Sequence, residues 1–370
     1  VAITASLNFS LPLTKPEEVQ AEFRFENFDF AGVSAFLPSL KEMNPGGGAN
    51  GSIKLNGFSP DLTATNLNLE IPELNLTLNN VPIKNDGPLS LRLKDRVLEI
   101  DNFSLFAPHS RIKLIGKSEI KELADPGLDF LLTGQLNLED INPWLSGMSA
   151  GGRSDFQASL QGTLQQPLID GRVELQQVFF RLGDLPLVVS GVEGRITIDN
   201  SYLKLEKLTG AVNSGSFTAS GQANFGPSFS LPEARVDFVL NDFDLNYPPG
   251  LNSLSQASLT LTKGKGGWLL SGNLSVVNAS YLQDFYPSTQ GLKMVFSRVS
   301  PAGSEMSPFL YELALDIGVR TIDNIVIKNN LADLELKANL NIKGTIPAPV
   351  LSGRAENAYP GEIILGDRKY

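Results

Sequence analysis

Apolar and polar residues alternate along most of this chain. Leu67, Leu69 and Ile71 alternate with Asn and Glu; Pro72 interrupts, and Leu74, Leu76 and Leu78 resume in the other phase. Leu89, Leu91 and Leu93 alternate with Ser and Arg, and Leu98 and Ile100 follow a Lys-Asp-Arg turn. Val236, Phe238 and Leu240 repeat the pattern, as do Leu313, Leu315, Ile317 and Val319. Successive side chains of a strand point to opposite faces, so period two predicts strands with one apolar and one polar face. Gly, Asn, Asp and Pro between the runs supply turns. The chain is therefore predicted to be all-β. A sheet with one apolar face must hide that face. Sandwiches, barrels and solenoids hide it against protein; a long sheet curled into a U leaves a trough for an apolar occupant. A dry core, a lipid trough and a carbohydrate-binding solenoid or adhesin-like sandwich all stay open on alternation alone.

The sequence also repeats itself. The phrase "GTLQQPLIDGRVE" from Gly162 returns as "GTIPAPVLSGRAE" from Gly344. "LSLRLKDRVLEIDNFSLFAPHSRIKLIGK" (89–117) aligns without a gap on "GRITIDNSYLKLEKLTGAVNSGSFTASGQ" (194–222), 105 residues later. "FDFAGVSAFL" (28–37) resembles "LNLEDINPWL" (136–145), and both lead into Gly-rich loops. Repetition with loose similarity predicts one elongated array over 1–370, with units at approximately 28–135, 136–242 and an incomplete 243–370. At about twelve residues per strand, some thirty strands would stack at roughly 4.8 Å each, a body on the order of 140 Å long. The segments 33–40 and 141–147 break period two and contain Pro38 and Pro143, so each is predicted to be a helical turn or plug. The chain opens in mid-strand and ends inside a unit, and is read as part of something longer.

Composition narrows the function. Lys and Arg total 30 against 40 Asp and Glu, a net charge of −10 that would repel a phosphate backbone and argues against nucleic acid as a partner. There is no Cys and a single His, His109, so thiolate nucleophiles, zinc sites and His-based dyads have nothing to be built from. The two Trp, Trp144 and Trp268, are too few and too far apart for a sugar groove. "GGGANG" (46–51) lacks the Lys-Ser/Thr and helix of a phosphate loop. Apolar runs such as "LPLVV" from Leu185 fall far short of the roughly 18 residues of a transmembrane helix.

The Gly-Thr…Pro…Gly-Arg phrase, the alternating strands after it and the closing "GSFTASGQA" together resemble the TamB family, the translocation-and-assembly-module subunit of diderm bacteria within the AsmA-like group. The stretch 315–370, with "NIVI", "NNLADLEL", the Gly-Thr phrase and "GEIILGDRKY", is similar to the segment just before that family's C-terminal domain. The resemblance runs through most of the chain and is strongest from about 150 onward. It implies a U-shaped β-groove in the periplasm that carries phospholipid toward the outer membrane. It also implies an outer-membrane barrel assembly protein as partner and an inner-membrane anchor in a preceding N-terminal part. No cofactor and no catalytic or metal residues are expected. On this reading the groove lining comprises Leu67, Leu69, Leu91, Leu93, Ile100, Ile112, Ile196, Ile198, Leu205, Phe217, Val236, Phe238, Leu315, Ile317, Leu336, Leu340 and Ile342, with Asn68, Arg92, Thr197 and Asp237 facing outward. The alternative function is a scaffold that offers its sheet edges to unfolded outer-membrane strands by β-augmentation.

Overall fold

A computed structural model describes residues 4–10, 19–34, 43–59, 61–145, 147–183, 186–226, 230–247, 249–284, 308–365 and 368–369. Strands dominate it: β1 (Thr4–Ser10), β2 (Gln20–Asp29), β3 (Gly46–Asn56), β4 (Asn66–Leu78), β5 (Val81–Asn85), β6 (Leu89–Lys94), β7 (Val97–Phe106), β8 (Arg111–Glu119) and β9 (Gly127–Asn137). There follow β10 (Ser149–Thr163), β11 (Pro167–Arg181), β12 (Val188–Asp199), β13 (Tyr202–Val212), β14 (Gly215–Asn224), β15 (Glu233–Asn246), β16 (Leu251–Gly264) and β17 (Gly267–Tyr281). The last are β18 (Ala314–Thr321), β19 (Ile325–Lys328), β20 (Ala332–Thr345), β21 (Ala348–Asn357), β22 (Glu362–Leu365) and β23 (Arg368–Lys369).

Nearly every strand pairs antiparallel with its successor, as short Gly- and Asn-containing turns between alternating runs require. β5 and β6 share one position between β4 and β7. β17 meets β18 and β19 in parallel, across a connection that includes α2 (Pro308–Glu312), and β18 and β19 both pair with β20. β21 and β22 share the far edge of β20, and β23 closes a hairpin on β22. At about 4.8 Å per step, roughly nineteen strand positions span on the order of 90 Å. The stack is shorter than expected because its strands reach fifteen residues in β10, β11 and β17.

The interruptions of the alternation turn out to be β-bulges. Phe25 and Phe28, Ile100 and Phe103, Leu175 and Val178, Leu205 and Leu208, and Leu240 and Phe243 each flank two residues that oppose one on a neighbouring strand. On β4 the register shifts between Glu70 and Glu73, where Ile71 and Pro72 oppose Gly51 alone. The extra residue restores the phase, so the apolar residues on both sides stay on the same face. In three of these bulges the second extra residue is left-handed: Asn27 (φ 53°), Gln177 (φ 50°) and Asp242 (φ 50°). A bulge bends its strand. The residues beside the bends are among the most buried on the apolar face, including Phe25, Leu74, Val178, Leu205 and Phe243. Phe28, Ile100, Leu175, Leu208 and Leu240, on the other sides of these bends, are half-buried, and Phe103 is 38% exposed. Burial concentrated at a line of bends is what a sheet curled about its apolar face produces, with a crease at the bottom and two walls above it.

The repeated thirteen-residue phrase is a hairpin in both places. Gly162 pairs with Pro167 across β10–β11, and Gly344 with Pro349 across β20–β21. Both glycines are left-handed (φ 82° and 93°), and a Cβ on either would sit 2.5 Å from a carbonyl oxygen of its own turn, Gln166 or Ala348. Strands also recur at the 105-residue offset: β7 begins at Val97 and β13 at Tyr202.

Three short helices interrupt the strands among the described residues, one more than expected: α1 (Phe30–Ser34), a 3-10 helix (Leu138–Trp144) and α2. Segment 33–40 lies largely outside the described residues, although α1 reaches into its start; segment 141–147 falls on the 3-10 helix, as its spacing predicts. After β15, where the sequence reads Pro-Pro-Gly, the described residues form no helix, and Pro249 and Gly250 turn into β16.

Candidate functional site

The apolar face is organised in rows that run across the sheet, perpendicular to the strands. Directly paired residues share a face, so the pairings can be followed from strand to strand. One row passes through Leu7, Phe23, Ile53, Leu69, Leu91, Ile100, Gly116, Phe130 and Leu160 to Ile169, from β1 to β11. A second passes through Ile112, Gly134, Phe156, Val173, Ile196, Leu205, Gly221, Val236, Leu261, Leu270 and Leu315, from β8 to β18. Neither row contains a charged residue.

Each residue expected to line a groove falls on this face. Leu67 and Leu93 pair beside the first row, which holds Leu69, Leu91 and Ile100; the second holds Ile112, Ile196, Leu205, Val236 and Leu315. Ile198 lies one row outward. Phe238, Ile317 and Ile342 share a third row. Phe217 and Leu340 belong to a fourth, and Leu336 pairs with Ile325. Most are half-buried; Leu205 and Phe217 are buried, and Ile112 is 37% exposed. Buried residues on this face form two clusters, one around Phe25, Ala49, Leu74 and Leu89, the other from Ala150 and Val178 to Phe243 and Ala257. Phe103 and Ile112, both exposed, lie between them.

The 3-10 helix lies against the second cluster through Leu138, Ile141 and Leu145. Asp140 holds it there. Its carboxylate, 8% exposed, accepts from the Ser110 hydroxyl (2.6 Å), from the His109 backbone N–H (3.1 Å) and contacts His109 Nδ1 (3.1 Å). Ser110 Oγ in turn accepts from the Asn137 N–H, and Asn142 Oδ1 accepts from the Ala150 N–H. The lone His is thus part of a structural clasp, with Ser110 bonded to the carboxylate and not to the imidazole. That arrangement leaves the serine without an imidazole base.

The opposite face is polar and paired. Arg172, Thr197, Lys204, Gln222, Arg235 and Thr262 make one of its rows. The Arg235 guanidinium, then the Thr260 hydroxyl, donate to Asp237 and hold its carboxyl below the usual aspartate range. A hollow of about 430 Å³ on this side is lined by Glu99, Asp101, Lys117 and Asp129 together with apolar Ile115 and Leu131. No group of three or more acidic or His side chains positioned to hold a metal occurs among the described residues. No described helix is long and apolar enough to cross a membrane.

Strict alternation misses the crease itself, and with it Phe25, Phe28, Val178, Val192, Val212, Phe243 and Ala257. For Phe25, Phe28, Val178 and Phe243 the signal is two apolar residues three apart, in "FENF", "LQQV" and "LNDF". Residues 206–363 match the family described as TamB C-terminal domain. The match corrects one expectation, since most of 315–370 lies inside that domain and not before it. No curated protein and no solved structure gives a significant match.

Proposed function

Residues 206–363 match the TamB C-terminal domain, and on that match and the apolar face we propose that the chain is a stretch of a periplasmic conduit for phospholipid acyl chains. The family acts as a structural or transport component of a translocation and assembly module in the cell envelope. The observation that carries the lipid reading is the unbroken apolar row from Ile112 to Leu315, half-exposed at most of its positions along eleven successive strands.

An acyl chain on that row leaves water at about 0.8 kcal/mol per buried CH₂. No single residue holds it, because each row offers the same chemistry to the next strand. A lipid therefore slides with little barrier, while its headgroup stays at the open rim. Such a floor has no direction of its own, so direction comes from the ends: an inner-membrane anchor before this chain and an outer-membrane barrel assembly protein beyond it. The three approximate repeat units, 28–135, 136–242 and 243–370, are on this reading successive lengths of one channel. Extraction of the purified chain followed by lipid mass spectrometry tests the proposal. Co-purified phospholipid is expected. A lipid-free chain that also takes up none from vesicles would count against it and favour the β-augmentation scaffold.

A further inference from the structure

One row of the apolar face ends on a charge. The pairings carry Ile198 to Leu203, Ala223 and Ala234, then to Lys263 and Trp268 on β16 and β17. Leu261 and Leu270, two positions inward on the same strands, belong to the apolar row described above. Lys263 is half-buried, and among the described residues no carboxylate lies within ion-pair distance of it. Its ammonium stands 5.5 Å from the Trp268 ring centroid, and Phe309 of α2 meets Trp268 edge-on at 5.6 Å. The Trp268 indole N–H has no hydrogen-bond partner among the described residues. A cation on an apolar face breaks the pattern that the rest of the row keeps, and such local breaks concentrate at functional positions.

We propose that Lys263 and Trp268 form a station for the anionic phosphodiester of a phospholipid whose acyl chain lies down the wall beneath them. The inference rests on the lipid reading and adds a headgroup class and a place to it. The ammonium and the indole N–H supply two donors to phosphate oxygens, and the aromatic ring sits where hydrocarbon gives way to water, the position Trp favours at membrane interfaces. Ala234, the direct partner of Lys263 on β15, carries only a methyl group there. Burial deepens down β16, from half-buried Leu261 to Ala257 at 5% and Ser255 at the crease. Eight residues of strand from Lys263 to Ser255 give about 27 Å of wall at about 3.4 Å each. The acyl chains of one leaflet fill about half of a roughly 30 Å hydrocarbon core, so a single chain fits transversely with its headgroup at Lys263.

The test uses the whole chain with Trp144→Phe, so that fluorescence reports Trp268 alone. Dioleoylphosphatidylglycerol and dioleoylglycerol are titrated from detergent micelles, and native mass spectrometry counts bound lipid. Lys263→Glu is expected to weaken phosphatidylglycerol by about tenfold or more, the scale of one charge-assisted hydrogen bond, and to leave dioleoylglycerol unchanged. Lys263→Arg should restore most of the binding, and Lys265→Glu at the hairpin tip should change it less than about threefold, which controls for long-range charge. Equal phosphatidylglycerol binding by wild type and Lys263→Glu overturns the station while leaving the conduit standing. Failure of both lipids to bind wild type overturns the conduit reading beneath it. Inorganic phosphate alone giving the full Trp268 response at millimolar concentration overturns the assignment to a lipid headgroup.

Discussion

Replacing Asp140 with Ala should release the 3-10 helix from the apolar face without unravelling the sheet. The carboxylate is 8% exposed and accepts two hydrogen bonds from the chain beneath it, the Ser110 hydroxyl at 2.6 Å and the His109 N–H at 3.1 Å. Hydrogen bonds to a charged group contribute about 1.5–3 kcal/mol each, and a buried donor left unpaired adds its desolvation cost. The His109 ring is 59% exposed, so water replaces that third contact at little loss. The change should therefore cost about 3–5 kcal/mol locally, and Asp140→Asn, which keeps an acceptor oxygen, about half as much. A sheet this long does not unfold in one step, so a global midpoint would blur the effect. Hydrogen exchange by mass spectrometry resolves it. Amides of peptides spanning 137–150 should lose protection by about a hundredfold or more, since about 1.4 kcal/mol is tenfold, while β15 and β16 keep theirs. Unchanged protection in 137–150, or an equal loss throughout, would refute the clasp.

Phe238→Asp should block lipid passage, because an unpaired carboxylate beside hydrocarbon costs several kcal/mol, whereas Lys204→Asp on the exposed polar face should not; lipid transfer between vesicles is the readout. Leu205 is too buried at 9% for the same purpose, since Leu205→Asp would injure the fold before it tested the conduit. Gln177→Val should destabilise the β11–β12 pairing by about 1–3 kcal/mol, because a β-branched residue resists the left-handed bulge, and Gln177→Gly should be tolerated; thermal melts followed by circular dichroism compare them. Asp237 titrates below its ordinary value in the folded chain, so its stabilising share is present above about pH 4 and lost as the pH falls through the lowered pKa. Asp237→Asn should therefore flatten the acid limb of a stability-against-pH curve, and an unaltered limb would contradict the assignment.

Much of this fold is legible in the sequence, since alternation alone puts Leu67, Val236 and Leu315 on one face. Pairing explains why: a one-residue slip would turn every apolar set to solvent. The Gly162 and Gly344 phrases mark the same hairpin because only glycine tolerates both the left-handed backbone and the nearby carbonyl. The crease is less legible. A bulge shows in sequence only as a phase change, and a strict period-two pattern discards the residues that flank it, such as Val178 and Phe243. Lys263 escapes for a related reason, because at a hairpin end a lysine reads as a turn residue. Its meaning depends on the partner strands that carry its row. The clasp around Asp140 joins residues thirty positions apart in sequence, and local pattern carries no sign of it.

If lipid occupies one face of this sheet along its length, site-specific photo-crosslinking will capture it there and nowhere else. A benzophenone side chain is placed on the apolar face at Phe130, Val173, Val236 and Leu315, and on the polar face at Lys117, Arg172, Gln222 and Asp316. After irradiation in cells, intact mass spectrometry reads phospholipid adducts. Adducts are expected at all four apolar-face positions, on β9, β11, β15 and β18, and none at the polar-face positions. Adducts on both faces alike, or on neither, would contradict it.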